Sequence, residues 1–244
     1  MHSTTSFRRA TLAAMLCGAS MVLTSPQLLA QHMDLDTSGL ALPGSGPARA
    51  AAQRDLTRFI AQMQTRQGAG ELPFDVASAK DLKNASIGYG FAVYTVDPAD
   101  LLAGRGSMQQ MTKPTGQWRF VVMLDKKPIG LVTVEQNKGK FETTAFGGAV
   151  LARDVDAMMT QHGNADRSNL RFVRIYQARA DLLEVSGQTD GTVRFAPLHS
   201  ARQSLSAEGS TQATAATPAS TLVDEADLLT PLRAAVKSNL DAAR

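Results

Sequence analysis

Cysteine is all but missing from this chain. Among 244 residues there is one, Cys17, and it lies in an N-terminal segment that reads as an export signal. Once that segment is removed, no disulfide, thiol nucleophile or cysteine-ligated metal is open to the protein. Histidine is scarce as well. Beyond the signal only His32, His162 and His199 remain; they lack metal-ligand spacing, and no His-Glu-x-x-His occurs. An excess of one charge is missing too. Residues 1–30 hold two of the 25 basic side chains and none of the 22 acidic ones, leaving 23 against 22. So even a balance gives no basic footprint for nucleic acid. No Gly-x-Ser-x-Gly elbow or complete phosphate loop is found, so neither a catalytic set nor a metal nor a cofactor is expected.

What is present begins with Arg8-Arg9, followed by an apolar run from Ala10 to Leu23, Pro26 and then Leu28-Leu29-Ala30. This is the layout of a signal peptide over residues 1–30, cleaved before Gln31. The run falls short of the roughly 20 apolar residues of a membrane span, so an uncleaved anchor is the lesser alternative. Phe7-Arg8-Arg9 is a loose twin-arginine match, with general secretion the preferred route. Residues 31–46 lack periodicity and read as a flexible lead-in. Residues 47–205 carry the patterned part, residues 206–221 are a low-complexity linker, and residues 222–244 form a C-terminal amphipathic helical segment. No stable transmembrane span is expected after signal removal.

The patterned part is organised around residues 117–146. Trp118, Phe120, Val122 and Leu124 alternate with Arg119, Val121, Met123 and Asp125, the period of a strand. Two further β-rich runs follow, the last two joined by Asn137-Lys138-Gly139, and together they predict an antiparallel meander. A helix is expected over residues 48–67, ended by Gly68 and Gly70, with its arginines on a solvated face. The first strand, residues 87–96, is read with Ile87, Tyr89, Phe91 and Val93 on one face and Gly88, Gly90, Ala92 and Tyr94 on the other. Asp97-Pro98 opens a short helix, and residues 104–116 read as a long connection. A helix over residues 149–161 ends near His162 and Gly163. Strands follow over residues 170–176, 182–186 and 192–198, the last two joined by a turn at Asp190-Gly191. A final helix is expected to start at Thr230-Pro231 and to dock on its own domain.

Six residues are candidate binding positions. Gly88 and Gly90 let a helix or a ligand approach the sheet closely. Gly147-Gly148 precedes a helix and is either a strand-to-helix turn or an anion cradle. Trp118 is either a core residue or a stacking platform, with Arg119 beside it. His199 and Ser200 allow a serine–histidine pair by adjacency alone. His162 suits a helix C-terminus.

The expected fold is therefore α+β, an antiparallel sheet with helices packed on one face. The order of helix, strand, short helix, meander and helix is similar in outline to cystatin-like and PepSY-like exported domains. The functional expectation is an exported, periplasmic or secreted protein, without catalysis, that binds a peptide, protein or cell-envelope component. The alternatives are an exported hydrolase with an unrecognised site, or an accessory or inhibitory domain for an exported protease. N-terminal sequencing of exported material tests the first step. A start near Gln31 is expected, and a start at Met1 or retention in membranes after alkaline washing contradicts it.

Overall fold

The meander predicted at residues 117–146 forms one half of a larger sheet. A computed structural model describes residues 45–65, 71–187, 191–207 and 221–243, all within one unit of the chain. The expectations for residues 1–30, for the lead-in up to residue 44 and for linker residues 208–220 fall outside the described residues. So do the helix stop at Gly68 and Gly70 and one half of the Asp190-Gly191 turn.

Seven strands stand in the order β4-β3-β2-β1-β5-β6-β7. They are β1 (Ser86–Val96), β2 (Thr112–Leu124), β3 (Lys127–Asn137), β4 (Lys140–Gly147), β5 (Leu170–Ile175), β6 (Ala180–Ser186) and β7 (Val193–Pro197). The β2–β3 and β3–β4 hairpins turn on two residues each, and Asp125, Lys126, Lys138 and Gly139 all have positive φ. That backbone matches the right-handed twist of paired strands. All neighbours are antiparallel except β1 and β5, which run parallel through Val93 opposite Phe172 and Tyr94 opposite Val173. The sheet is mixed, and the expectation of a purely antiparallel one is corrected. The cause is the helical segment after β4, which carries the chain away from the meander's edge and returns it beside β1.

Helices cover both faces, which corrects the second half of the fold expectation. On one face α4 (Ala149–His162) lays Ala152, Val155, Met158 and Met159 against Tyr89, Phe91, Val121, Leu131 and Phe172. On the opposite face α1 (Ser45–Thr65) places Ala48, Ala51, Ala52 and Leu56 against Trp118, Phe120, Val122 and Val132. Alongside it, α2 (Pro98–Ala103), α3 (Met108–Met111) and α6 (Glu225–Ala242) pack on Val173, Ile175, Leu182 and Phe195. The nine-residue helix α5 (His199–Ala207) leaves β7 and adds Ala201 and Leu205 to that cluster. A single 3-10 turn covers Asp81–Asn84. Among the described residues no helix is long and apolar enough to cross a membrane.

Four local expectations change. The stretch read as a connection holds α3, closed by a capping box between Ser107 and Gln110, and β2 starts at Thr112. Met108 and Met111 are buried because that helix needs an apolar anchor. The C-terminal helix begins at Glu225 after Asp224, so Pro231 sits inside it, buried in the interface. The acidic first turn, Glu225 and Asp227, starts the helix earlier than the proline does. In β1 a bulge between Ile87 and Gly90 moves Ile87 to the α1 face while Tyr89, Phe91 and Val93 face α4. Arg49 of α1, expected in solvent, donates to the carbonyls of Gly88 (2.6 Å) and Ile87 (3.2 Å) at that bulge.

The glycines of β1 answer a close approach, from a strand rather than a helix. A Cβ on Gly90 would stand 2.3 Å from Cε1 of Phe120, and one on Gly88 would stand 2.7 Å from Cγ of Met123. Gly90→Val therefore forces the Phe120 ring out of the core, an overpacking that costs ~1–3 kcal/mol. Thermal unfolding should show a clearly lowered Tm, and an unchanged Tm refutes the packing. The docking of α6 is tested in the same way. Leu228, Leu232, Ala235 and Val236 are all buried, and burying one Leu or Val contributes ~1.5–3 kcal/mol. Truncation after Ser206 should cost ~3 kcal/mol or more; equal stability of the two chains refutes docking.

Candidate functional site

Strand alternation puts Gln117 and Arg119 of β2 on the α4 face, because Trp118 and Phe120 fill the other. The same face takes Phe172 and Arg174 from β5 and Asp181 and Leu183 from β6, in register through the Phe172–Leu183 and Arg174–Asp181 pairs. The α4 side chains cover the end of this face that holds Tyr89, Val121, Leu131 and Leu170. Toward the other end the strands carry charge.

Here Arg174 binds Asp181 through Nη1, at 3.1 Å to Oδ1 and 3.2 Å to Oδ2. The Ser200 hydroxyl of α5 donates to Asp181 Oδ2 at 2.8 Å and accepts from the Asp181 backbone N–H at 3.0 Å. Asp181, only 3% exposed, thus has both carboxylate oxygens engaged. Tyr176, on the turn after β5, lies under the Arg174 guanidinium at 5.5 Å and is 44% exposed.

Arg119 is different. Its guanidinium reaches across β1 and sits 5.3 Å from the centre of the Phe172 ring, which itself packs on Phe91 at 4.9 Å. Nε and Nη1 are buried with no hydrogen-bond partner among the described residues. Burial lowers the pKa of this arginine and Arg174 lowers it further, against the opposing pull of Asp181 and Tyr176. Two residues along β2, the Gln117 amide donates to Glu135 at 2.8 Å while its Oε1 is buried without a partner. Three buried polar atoms on consecutive same-face positions of one strand are unpaired. A folded protein satisfies such atoms with protein, water or ligand.

Compared with protein-family models, curated proteins and solved structures, the chain matches none. The outline likeness to cystatin-like and PepSY-like domains therefore gains no support beyond the order of elements.

Of the six candidate positions, only Arg119 enters this cluster. Trp118 is 6% exposed and stacks on Phe120 in the core beneath α1. Gly88 and Gly90 accommodate β2 side chains, as described. Gly147 and Gly148 have φ of 133° and 74°, and Gly148 caps α4, whose first backbone bond runs from Ala152 N–H to Gly148 O. They form the strand-to-helix turn. Ser200 points its hydroxyl at Asp181, whereas His199 is exposed and its backbone N–H donates to Asp154. His162 closes α4, with its carbonyl accepting from Asn169 Nδ2. Among the described residues no group of three or more His, Cys, Asp or Glu is placed to hold a metal.

A second ionic pair lies on the reverse face. Glu184, 1% exposed, has Oε1 at 3.7 Å from Arg171 Nη1 and Oε2 buried without a partner. Arg171 covers the Tyr94 ring at 5.1 Å. Burial raises the Glu184 pKa, Arg171 opposes this, and Glu225 of α6 adds to the rise. A carboxyl whose pKa rises on folding stabilises the fold most when protonated. Its contribution is full below the ordinary value of 4.5 and is lost as pH climbs through the raised value. Glu184→Gln, neutral at every pH, should raise Tm above that window and leave it little changed at pH 4, as unfolding curves at pH 4 and pH 8 will show. An equal shift at both pH values contradicts the assignment.

Proposed function

We propose that this chain is an exported, non-catalytic binding protein that receives a peptide, protein or cell-envelope component on the sheet face around Arg119. The observation that carries this reading is the Arg119 guanidinium, held on Phe172 with Nε and Nη1 buried and unpartnered. An unpaired buried charge costs stability, and a fold keeps one where a ligand completes it. The position supports the same reading. Arg119 sits on an inner strand flanked by β1 and β3, a rigid mount that spares a ligand the ordering cost of a loop. Asp181, by contrast, has its hydrogen bonds filled by Arg174 and Ser200, which favours a structural role over that of a general base. An accessory or inhibitory role toward an exported protease is one form of such binding.

The test compares immobilised wild type with the charge reversal Arg119→Glu, each first shown to be folded by circular dichroism. A defined component of envelope extract should be retained by wild type and lost by the variant. Equal retention by both, or turnover of ester or peptide substrates that survives the reversal, overturns the reading.

A further inference from the structure

We propose that Arg119 is the anchor of a carboxylate-binding site, taking one singly charged carboxylate whose carbon body lies toward Tyr176. This rests on the binding reading above and names the chemical group bound.

A guanidinium offers a carboxylate two forks, Nε with Nη2 and Nη1 with Nη2. In Arg119, a partly exposed residue, Nε and Nη1 are buried without partners, and each belongs to a different fork, with Nη2 common to both. A planar anion arriving at Nη2 gains one buried donor whichever fork it takes. The cation–π contact with Phe172 fixes the plane of the guanidinium without consuming a single N–H. Both the donors and their orientation are set before anything binds.

Charge decides which anion fits. Arg119, Arg174 and Asp181 share this part of the face, and Asp181 is matched by Arg174. One positive charge is left over. Glu135, bonded to Gln117 on the next strand, stands exposed at the rim, where water screens its charge and leaves the buried surplus in place. A monoanion neutralises the surplus, whereas a dianionic phosphate would face both carboxylates. The half-exposed Tyr176 ring adjoins Arg174 and offers an apolar surface to the carbon attached to the carboxylate. That carboxylate belongs either to the C-terminus of a peptide or to a free organic acid.

Thermal unfolding of the full chain and of Arg119→Met separates these cases. Methionine keeps an apolar stem about as far as the Nε position and removes the guanidinium with its unpaired charge. The variant alone should unfold about 2–4 °C above wild type. The probes are a tripeptide with a free C-terminus, the same tripeptide as its amide, sodium benzoate and inorganic phosphate at equal ionic strength. Wild type should gain about 2–4 °C with the free-acid tripeptide or with benzoate, the responding arm naming the source, and nothing with the amide. Arg119→Met should gain nothing. A shift by phosphate alone, abolished in the variant, overturns the carboxylate assignment and leaves the binding reading standing. No shift in wild type with any probe also overturns the carboxylate assignment. A variant less stable than wild type that keeps the ligand shift overturns both.

Discussion

The parallel pairing of β1 with β5 is the contact on which the rest of this structure depends. To one side lies the meander β4-β3-β2-β1, to the other the antiparallel set β5-β6-β7. The junction itself is short, with Val93 opposite Phe172 and Tyr94 opposite Val173. Side chains reinforce it on both faces. Phe91 packs on Phe172, Thr95 Oγ1 donates to the Arg174 carbonyl at 2.8 Å, and Arg171 covers Tyr94. Every one of these contacts joins a residue of the meander half to one of β5. Parallel strands cannot be joined by a tight turn, so the chain must leave the sheet and return. The α4 segment does this, and its apolar stripe lies over the inner strands on one face.

The same junction creates the ionic geometry. Arg119 comes from the meander half and Phe172, Arg174 and Asp181 from the other. The carboxylate nearest Arg119 answers an arginine of its own hairpin, as expected when each half satisfies its charges locally. Arg174–Asp181 and Arg171–Glu184 face each other across the β5–β6 hairpin on opposite faces of the sheet. Arg119 has no such hairpin partner, since Thr133 stands opposite it on β3 and Phe91 on β1. Its charge is therefore left over when the halves meet. Edge protection follows the same economy of charge. At β4, Asp55 of α1 lies beside Thr143; burial alone would raise its pKa, but the bond and charge of Arg54 work against this and its pKa is held low. At β7 the outer edge pairs with Val223, N–H to O both ways, at 2.9 and 2.8 Å to Phe195.

Much of this was legible in the residues. Alternation in Trp118–Leu124 and the Lys138-Gly139 turn defined the meander, because a period of two with a residue of positive φ leaves little choice of register. The stripes of α1 and α4 were readable for the same reason. The bulge at Gly88 was not, since a register slip of one residue leaves the composition of a strand untouched. The parallel junction was hidden because it joins residues 93 and 172, far apart in sequence and linked by no local signal. Pro231 misled by standing where a helix start is common, although Asp224 and Glu225 already supply the N-terminal charge. At the site, Arg119 was singled out only as the neighbour of Trp118. Arg174 and Asp181 were missed, although charged residues at matching distances from one turn, in strands otherwise apolar, are a signal for buried cross-strand pairs.

The junction holds the Arg119 guanidinium on Phe172 without an anionic partner among the described residues. Proton–nitrogen correlation NMR of the arginine side chains reads this. The Arg119 Nε–H should be protected from solvent exchange, carry a ring-current shift that disappears in Phe172→Leu, and show no coupling to a carboxylate. A resonance that exchanges freely at neutral pH, or that ignores Phe172→Leu, would contradict it.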